Sequence, residues 1–245
     1  MRLDLHLVET GAYPSRARAR AAIDAGLVRV NGVIATKVSQ KIGEGDDVVA
    51  GGDAHPFVSR GGVKLDAVLQ TMEISPTGKI CLDLGASTGG FTDVLLRAGA
   101  AKVYAVDVGH GQLHETLRVD RRVVNLEKTH AKDLTRVLIP DPIEIIVCDV
   151  SFISLKKALP PALALAGAGA RLAALIKPQF EVGREGLGKG GIVKPGPEYS
   201  TGVADDIESW LNAQPGWKST GWMESPIAGG DGNREFLIGG VKSAH

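Results

Sequence analysis

A chain of 245 residues has room for one large folded domain and a small companion, and 44% hydrophobic with 23% charged residues is the composition of a soluble globular protein. Its formal net charge is zero, so nucleic-acid binding cannot rest on global basicity and would need a local patch. The start of the chain lacks the charged region and long apolar core of a signal peptide. The most apolar stretch, Ala158 to Ile176, is interrupted by Pro160, Pro161, Arg171 and several glycines, and a helix followed by a strand explains it better than a membrane span. A cytoplasmic protein is expected, with Cys81 and Cys148 as reduced thiols in buried strands and not as metal ligands.

Residues 1–54 differ in texture from the rest. Leu3, Leu5, Leu7 and Val8 predict a short helix that Gly11 ends, and Ser15 suits the amino-terminal cap of a second helix through Ala25, stopped by Gly26. Leu27 to Ile34 predicts two short strands joined by an Asn31-Gly32 turn. Up to Lys41, the basic residues Arg2, Arg16, Arg18, Arg20, Arg29, Lys37 and Lys41 outnumber Asp4, Glu9 and Asp24. Arg16 and Arg20 lie one helical turn apart and, with Lys37, form a patch suited to phosphates; a solvated helix face is the plainer reading. The run Ser15-Arg16 with Ala19 and Ile23, then Ala25-Gly26, Val30-Asn31-Gly32, Lys37 and Asp46-Asp47-Val48-Val49, resembles a known module over about 50 residues. That module is the small alpha-L RNA-binding domain of a ribosomal small-subunit protein, pseudouridine synthases and tyrosyl-tRNA synthetases. The resemblance implies RNA contacts from Arg2, Ser15, Arg16, Arg20, Asn31 and Lys37.

Residues 55–60 read as a linker, and 61–245 as a second domain that opens with a helix running to about Met72. Strands are expected near residues 79–85, 102–107, 123–127, 144–149 and 171–177, all parallel, with helices between them. A helix around Glu198 to Asn212 and a hairpin of Trp217 to Ser225 with Glu235 to Val241 close the chain. The expected class is α/β: a Rossmann-like doubly wound sheet, mostly parallel with its last strand antiparallel, beside a small α+β domain.

Lys79 to Asp93 is the centre of this domain: a buried strand of Ile80, Leu82 and Leu84 runs into a turn with Gly85, Gly89 and Gly90, and then into a helix. The glycines are read as letting the backbone approach a bound group. A second strand, Lys102 to Asp107, ends in a carboxylate suited to a ribose diol. The glycine spacing departs from the dinucleotide fingerprint, and Asp83 at the strand end would repel a pyrophosphate. A carboxylate there suits a cationic ligand such as S-adenosylmethionine; the alternative is an ordinary strand-to-helix turn. Ligands in such sheets sit beyond the carboxyl ends of the strands, where Asp149 and Lys177 each end a strand and Glu235 begins an antiparallel one. Lys64, read as preceding the domain's first helix, is expected to swing over the same edge. Four charges converging there are costly unless paired or functional.

Asp83-x-Gly-Ala-Ser-Thr-Gly-Gly-Phe-Thr, Asp107-Val-Gly-x-Gly-Gln-Leu, Asp149-x-Ser-Phe-Ile-Ser-Leu, Lys177-Pro-Gln-Phe-Glu-Val-Gly and Ser59-Arg60-Gly61-x-x-Lys64-Leu65 resemble the TlyA family across nearly the whole chain. Members of that family, once labelled hemolysins, act as rRNA cytidine 2′-O-methyltransferases with an FtsJ-like domain. The resemblance implies a catalytic tetrad of Lys64, Asp149, Lys177 and Glu235, and S-adenosylmethionine held by Asp83, Gly85, Ala86, Ser87, Thr88, Gly89, Gly90, Phe91, Asp107, Val108, Asp133 and Asp149; for Asp133, a carboxylate at a helix amino terminus is an equally good reading. It calls for no metal. RNA contacts are also expected from Arg60 and Lys189, the latter in a glycine-rich segment, Gly183 to Pro197, read as a lid that orders on RNA. His130 and Lys132 stand where the family pattern has asparagine and arginine, and His110 where close relatives have tyrosine. Phe152 and Phe180 are candidates to stack on a flipped base or to pack in the core. Lysine near its ordinary pKa of about 10.4 is a poor base, so Lys177 as base or hydroxyl-orienting group depends on its neighbours. The expected partner is ribosomal RNA or a ribosomal subunit. The alternatives are a non-catalytic RNA-binding protein on the same fold and a membrane-active hemolysin.

Overall fold

The structure, a computed structural model, describes residues 1–51, 55–229 and 232–244; the boundary expected at residue 54 lies outside them. The chain divides into two compact units, Met1–Arg60 and Gly61–His245.

In the first unit, α1 (Leu3–Glu9) and α2 (Arg16–Asp24) are followed by β1 (Val28–Val30), β2 (Val33–Ile34) and β3 (Val48–Ala50). Ser15 caps α2 as expected, its hydroxyl accepting the Arg18 N–H at 3.3 Å. Asn31 and Gly32, both at positive φ, make the tight turn between β1 and β2. The antiparallel sheet has the order β2-β1-β3, and β3 is an element that the alternation of so short a segment did not announce. Leu3, Leu7, Ala19, Ile23, Val28 and Ile42 form the core of this unit.

In the second unit, α3 (Gly61–Thr71) leads into β4 (Ile80–Leu84), α4 (Gly90–Arg97), β5 (Lys102–Val106), α5 (Glu115–Arg118), β6 (Val123–Leu126) and β7 (Ile143–Cys148). Next come α6 (Leu155–Leu165), β8 (Ala166–Ile176), α7 (Thr201–Asn212), β9 (Trp217–Glu224) and β10 (Phe236–Lys242). The seven-stranded sheet has the order β6-β5-β4-β7-β8-β10-β9; β4 to β8 are parallel and β10 is antiparallel to both its neighbours. Continuous apolar runs such as Ile143 to Cys148 make strands covered on both faces, around a core that includes Leu82, Val106, Ile146, Leu172 and Phe236. β8 begins at Ala166, earlier than its apolar run suggested, and α6 keeps Pro160 and Pro161 inside it. Cys81 and Cys148 are free and buried, and burial pushes both thiols up to about 12. Among the described residues no helix is long and apolar enough to cross a membrane.

Candidate active site

The strand order reverses between β4 and β7, and a cleft of about 660 Å³ opens at the carboxyl ends of the strands there. Gly85, Ser87, Asp107, Val108 and Asp149, all expected around the cofactor, line it together with Gln112, Thr129, His130 and Phe152. Asp107 is fixed by the N–H groups of Ser87 at 2.8 Å and Gly109 at 2.7 Å. Asp83 lies beneath the cleft wall, wholly buried. Thr92 Oγ1 donates to its Oδ2 at 2.7 Å, while Oδ1 has no partner among the described residues. Burial pushes the Asp83 carboxyl up to about 7, against the Thr92 hydrogen bond and with help from the charges of Asp149 and Asp107. A buried acceptor without a partner below a cleft that presents further carboxylates fits a ligand carrying positive charge and a ribose.

The glycines of this turn are closely packed. A Cβ on Gly85 (φ +85) would lie 2.7 Å from the Asp149 carbonyl oxygen, and one on Gly89 (φ +96) would meet the Leu117 and Leu113 side chains. Both positions lie against the chain itself, so these glycines let β4 and the start of α4 pack closely on their neighbours, and Gly85 also lines the cleft. Ala86 and Phe91 are buried, Gly90 starts α4, and Thr88 accepts the His114 N–H through its carbonyl; none of the four lines the cleft. Asp133 is exposed and also outside the lining. His130 does line it, and its Nδ1 accepts the Lys132 N–H at 3.1 Å.

Sequence reasoning passed over Glu127. Its carboxylate accepts N–H groups from Gly111, Gln112 and Leu113, which, with nearby His110, hold it down at about 2 and fasten the loop after β5. The strand-end rule that selected Asp107 and Asp149 would have selected Glu127 as well, directly after β6.

The four charges expected to form the tetrad come together as two ion pairs. Lys177 Nζ lies 2.6 Å from Asp149 Oδ1 and donates to Ser151 Oγ at 2.8 Å. Lys64 Nζ lies 2.5 Å from Glu235 Oε2, with both side chains nearly buried. The β8–β10 register ends with Phe236 paired to Ile176, and Glu235 and Lys177 are the residues that flank this last pair. Lys64 does not precede the helix but sits within α3, buried, and from there its Nζ reaches Glu235 just before β10. Among the described residues no cluster of three or more His, Cys, Asp or Glu side chains could hold a metal ion.

The residues expected to meet RNA are less uniformly available. Arg2 and Arg16 both bind the buried Asp4, whose carboxyl they hold at about 2 against the effect of burial. Arg20 lies 3.8 Å and Arg60 4.0 Å from Asp24. Asn31 is a structural staple: its side chain donates to Asp46 and accepts from the Asp47 N–H, tying the β1–β2 turn to the approach of β3. Lys37 and Lys189 are exposed. The expected lid is built as a small hairpin, Leu187 bridging to Val193 and the Lys194 N–H reaching the Gly186 carbonyl, with Gly190 and Gly191 at positive φ in its tip. The buried Asn233, also passed over by sequence reasoning, clasps it through Val193 N–H at 2.9 Å and the Gly191 carbonyl at 3.2 Å. Phe152 is 89% exposed, at a φ of +65, with the Phe180 ring 5.1 Å away, so core packing does not account for it.

Comparison with known proteins agrees with this geometry. Residues 57–242 match the FtsJ-like methyltransferase family and residues 1–48 the S4 domain. The chain is 42% identical, over 97% of its length and 88% of the relative's, to the 16S/23S rRNA (cytidine-2′-O)-methyltransferase TlyA of Mycobacterium tuberculosis. It is equally similar, at 42% over 97% of its own length and 98% of the relative's, to Hemolysin A of Brachyspira hyodysenteriae. A solved structure of a candidate hemolysin from Streptococcus thermophilus superposes with a TM-score of 0.77 at 38% identity, covering 99% of this chain and 88% of that one. An S4 domain followed by a methyltransferase sheet whose strand ends carry the two ion pairs, matched to TlyA along nearly its whole length, places this chain in the FtsJ-like methyltransferases as a member of the TlyA family.

Proposed function

We propose that the protein is an S-adenosylmethionine-dependent methyltransferase acting on the 2′-oxygen of a cytidine in ribosomal RNA. The observation that carries the reading is the pairing of Lys177 with Asp149, because Asp149 also lines the cleft and so couples the two halves of the site. Asp83, Ser87 and Asp107 would hold the cofactor, which supplies a methyl group on a sulfonium. A ribose hydroxyl is a weak nucleophile and reacts only when aligned and relieved of its proton. Asp149 and Ser151 aim Lys177 Nζ, which orients the 2′-hydroxyl and, in its neutral form, takes its proton. Lys64 and Glu235, locked together as an ion pair, complete the anchorage of the reacting ribose. Phe152, held out into solvent in a backbone conformation that costs strain, offers a ring face for a base drawn out of its stack. The S4 unit supplies phosphate contacts through Lys37 and the exposed faces of Arg2, Arg16 and Arg20. The expected setting is the cytoplasm, where ribosomal RNA is found.

Alanine replacements of Lys64, Asp149, Lys177 and Glu235 test this assignment through transfer of labelled methyl to rRNA. Lys177→Ala is expected to lower kcat about 10²- to 10⁴-fold with cofactor affinity nearly unchanged. A Lys177→Ala enzyme as fast as wild type would remove Lys177 from the mechanism.

A further inference from the structure

The two segments that carry the site, residues 149–155 and 177–181, are joined at successive positions along their length. Lys177 meets Asp149 and Ser151, the Phe180 ring meets Phe152, and Glu181 closes the far end. Its Oε2 accepts from Ser154 Oγ at 2.6 Å and its Oε1 from the Leu155 N–H at 2.8 Å. Ser154 Oγ accepts the Lys156 N–H at the start of α6 and Glu181 takes the Leu155 N–H beside it, so the carboxylate caps the helix and at the same time ties it to the 177–181 segment. Phe152 lies two residues before Ser154 at a φ of +65, and a bulky residue stays in that region only where its surroundings over-determine it. The Lys177 contacts fix one side of Phe152 and the Glu181 contacts the other. Glu181 is half-buried, and burial raises its carboxyl above the ordinary range, against its two hydrogen bonds and the charge of Lys156, which itself pairs with Asp206.

We propose that Glu181 is a positioning residue for methyl transfer: its carboxylate braces the segment bearing Asp149, Ser151 and Phe152 against the segment bearing Lys177. This rests on the methyltransferase reading above. The brace sets the direction of Lys177 Nζ and the stance of Phe152 together, so loosening it misaligns the hydroxyl while leaving the two segments folded.

The test uses the full-length protein and the variants Glu181→Ala, Glu181→Gln, Ser154→Ala and the double variant Glu181→Ala/Ser154→Ala. Glu181→Ala is expected to lose 10- to 100-fold in kcat at a temperature well below its melting midpoint. The double variant should be no worse than Glu181→Ala, because the two residues act as one unit. Glu181→Gln should recover most of the rate, since an amide can accept from Leu155 and donate to Ser154 Oγ. A kcat within twofold of wild type for Glu181→Ala, additive losses in the double variant, or a Glu181→Gln enzyme as impaired as Glu181→Ala would each overturn the brace. If Glu181→Ala does not fold, Ser154→Ala carries the test, with a loss of three- to tenfold expected and an unchanged kcat overturning the proposal. If wild type itself transfers no methyl to rRNA, the methyltransferase reading fails. The brace is then judged by hydrogen exchange: faster exchange across residues 150–155 in the Glu181 variants supports it, and unchanged exchange overturns it.

Discussion

Asp83 has an acidity set by its surroundings, and the consequence has a definite sign. In the unfolded chain its carboxyl ionises near pH 4, whereas in the folded protein burial holds the proton on to about 7. The folded state therefore binds more protons between those values, and this group's contribution to stability falls as pH rises through that window. A bound cation reverses the shift, so cofactor binding should expel a proton near neutrality. The affinity for S-adenosylmethionine is expected to weaken below pH 7, by up to about tenfold per unit, and Asp83→Asn should flatten the dependence. Calorimetric titration across pH 5.5 to 8 checks this; an equally steep profile in Asp83→Asn would show that another group is responsible. Asp83, Asp149 and Lys177 were legible in the sequence because each stands at or beside a strand end. The contacts of Asn31, Glu181 and Asn233 were not, because each depends on a partner brought near only by the fold.

At the scale of elements, hydrophobic periodicity announced nearly every strand and helix of the large unit, and the two exceptions have physical causes. β8 starts at Ala166 in a run of alanine and glycine whose small side chains carry no period-2 signal. Lys64 falls inside α3 because Gly61 and Gly62 form its first turn. The glycine turn stands where the sequence places it, while the close approach of Gly85 to the Asp149 carbonyl depends on a partner brought near only by the fold. Gly85→Ala should displace Asp149 and cost roughly 3 kcal/mol or more, combining backbone strain with the clash. Gly111→Ala, also at positive φ but with open space at its Cβ, should cost only about 1 kcal/mol. Denaturant unfolding of both variants decides this, and equal losses would mean that the contact with Asp149 is unimportant.

For the molecule as a whole, zero net charge means that RNA affinity must come from a few placed cations, several of which are already paired with acids. Lys37→Ala is expected to reduce the slope of log affinity against log salt by about 0.7 to 0.9, the value of one phosphate contact. An unchanged slope would place the RNA elsewhere on the S4 unit. Whether the ion-paired strand edge directs a methyl group to a ribose oxygen is decided by mass spectrometry of nucleosides. Ribosomal subunits lacking the modification would be incubated with S-adenosylmethionine and either wild-type protein or Lys177→Ala, and their RNA digested. Wild type is expected to yield 2′-O-methylcytidine, and Lys177→Ala to lose nearly all of it. A methyl group on a base, or equal yields of 2′-O-methylcytidine from the two proteins, would contradict it.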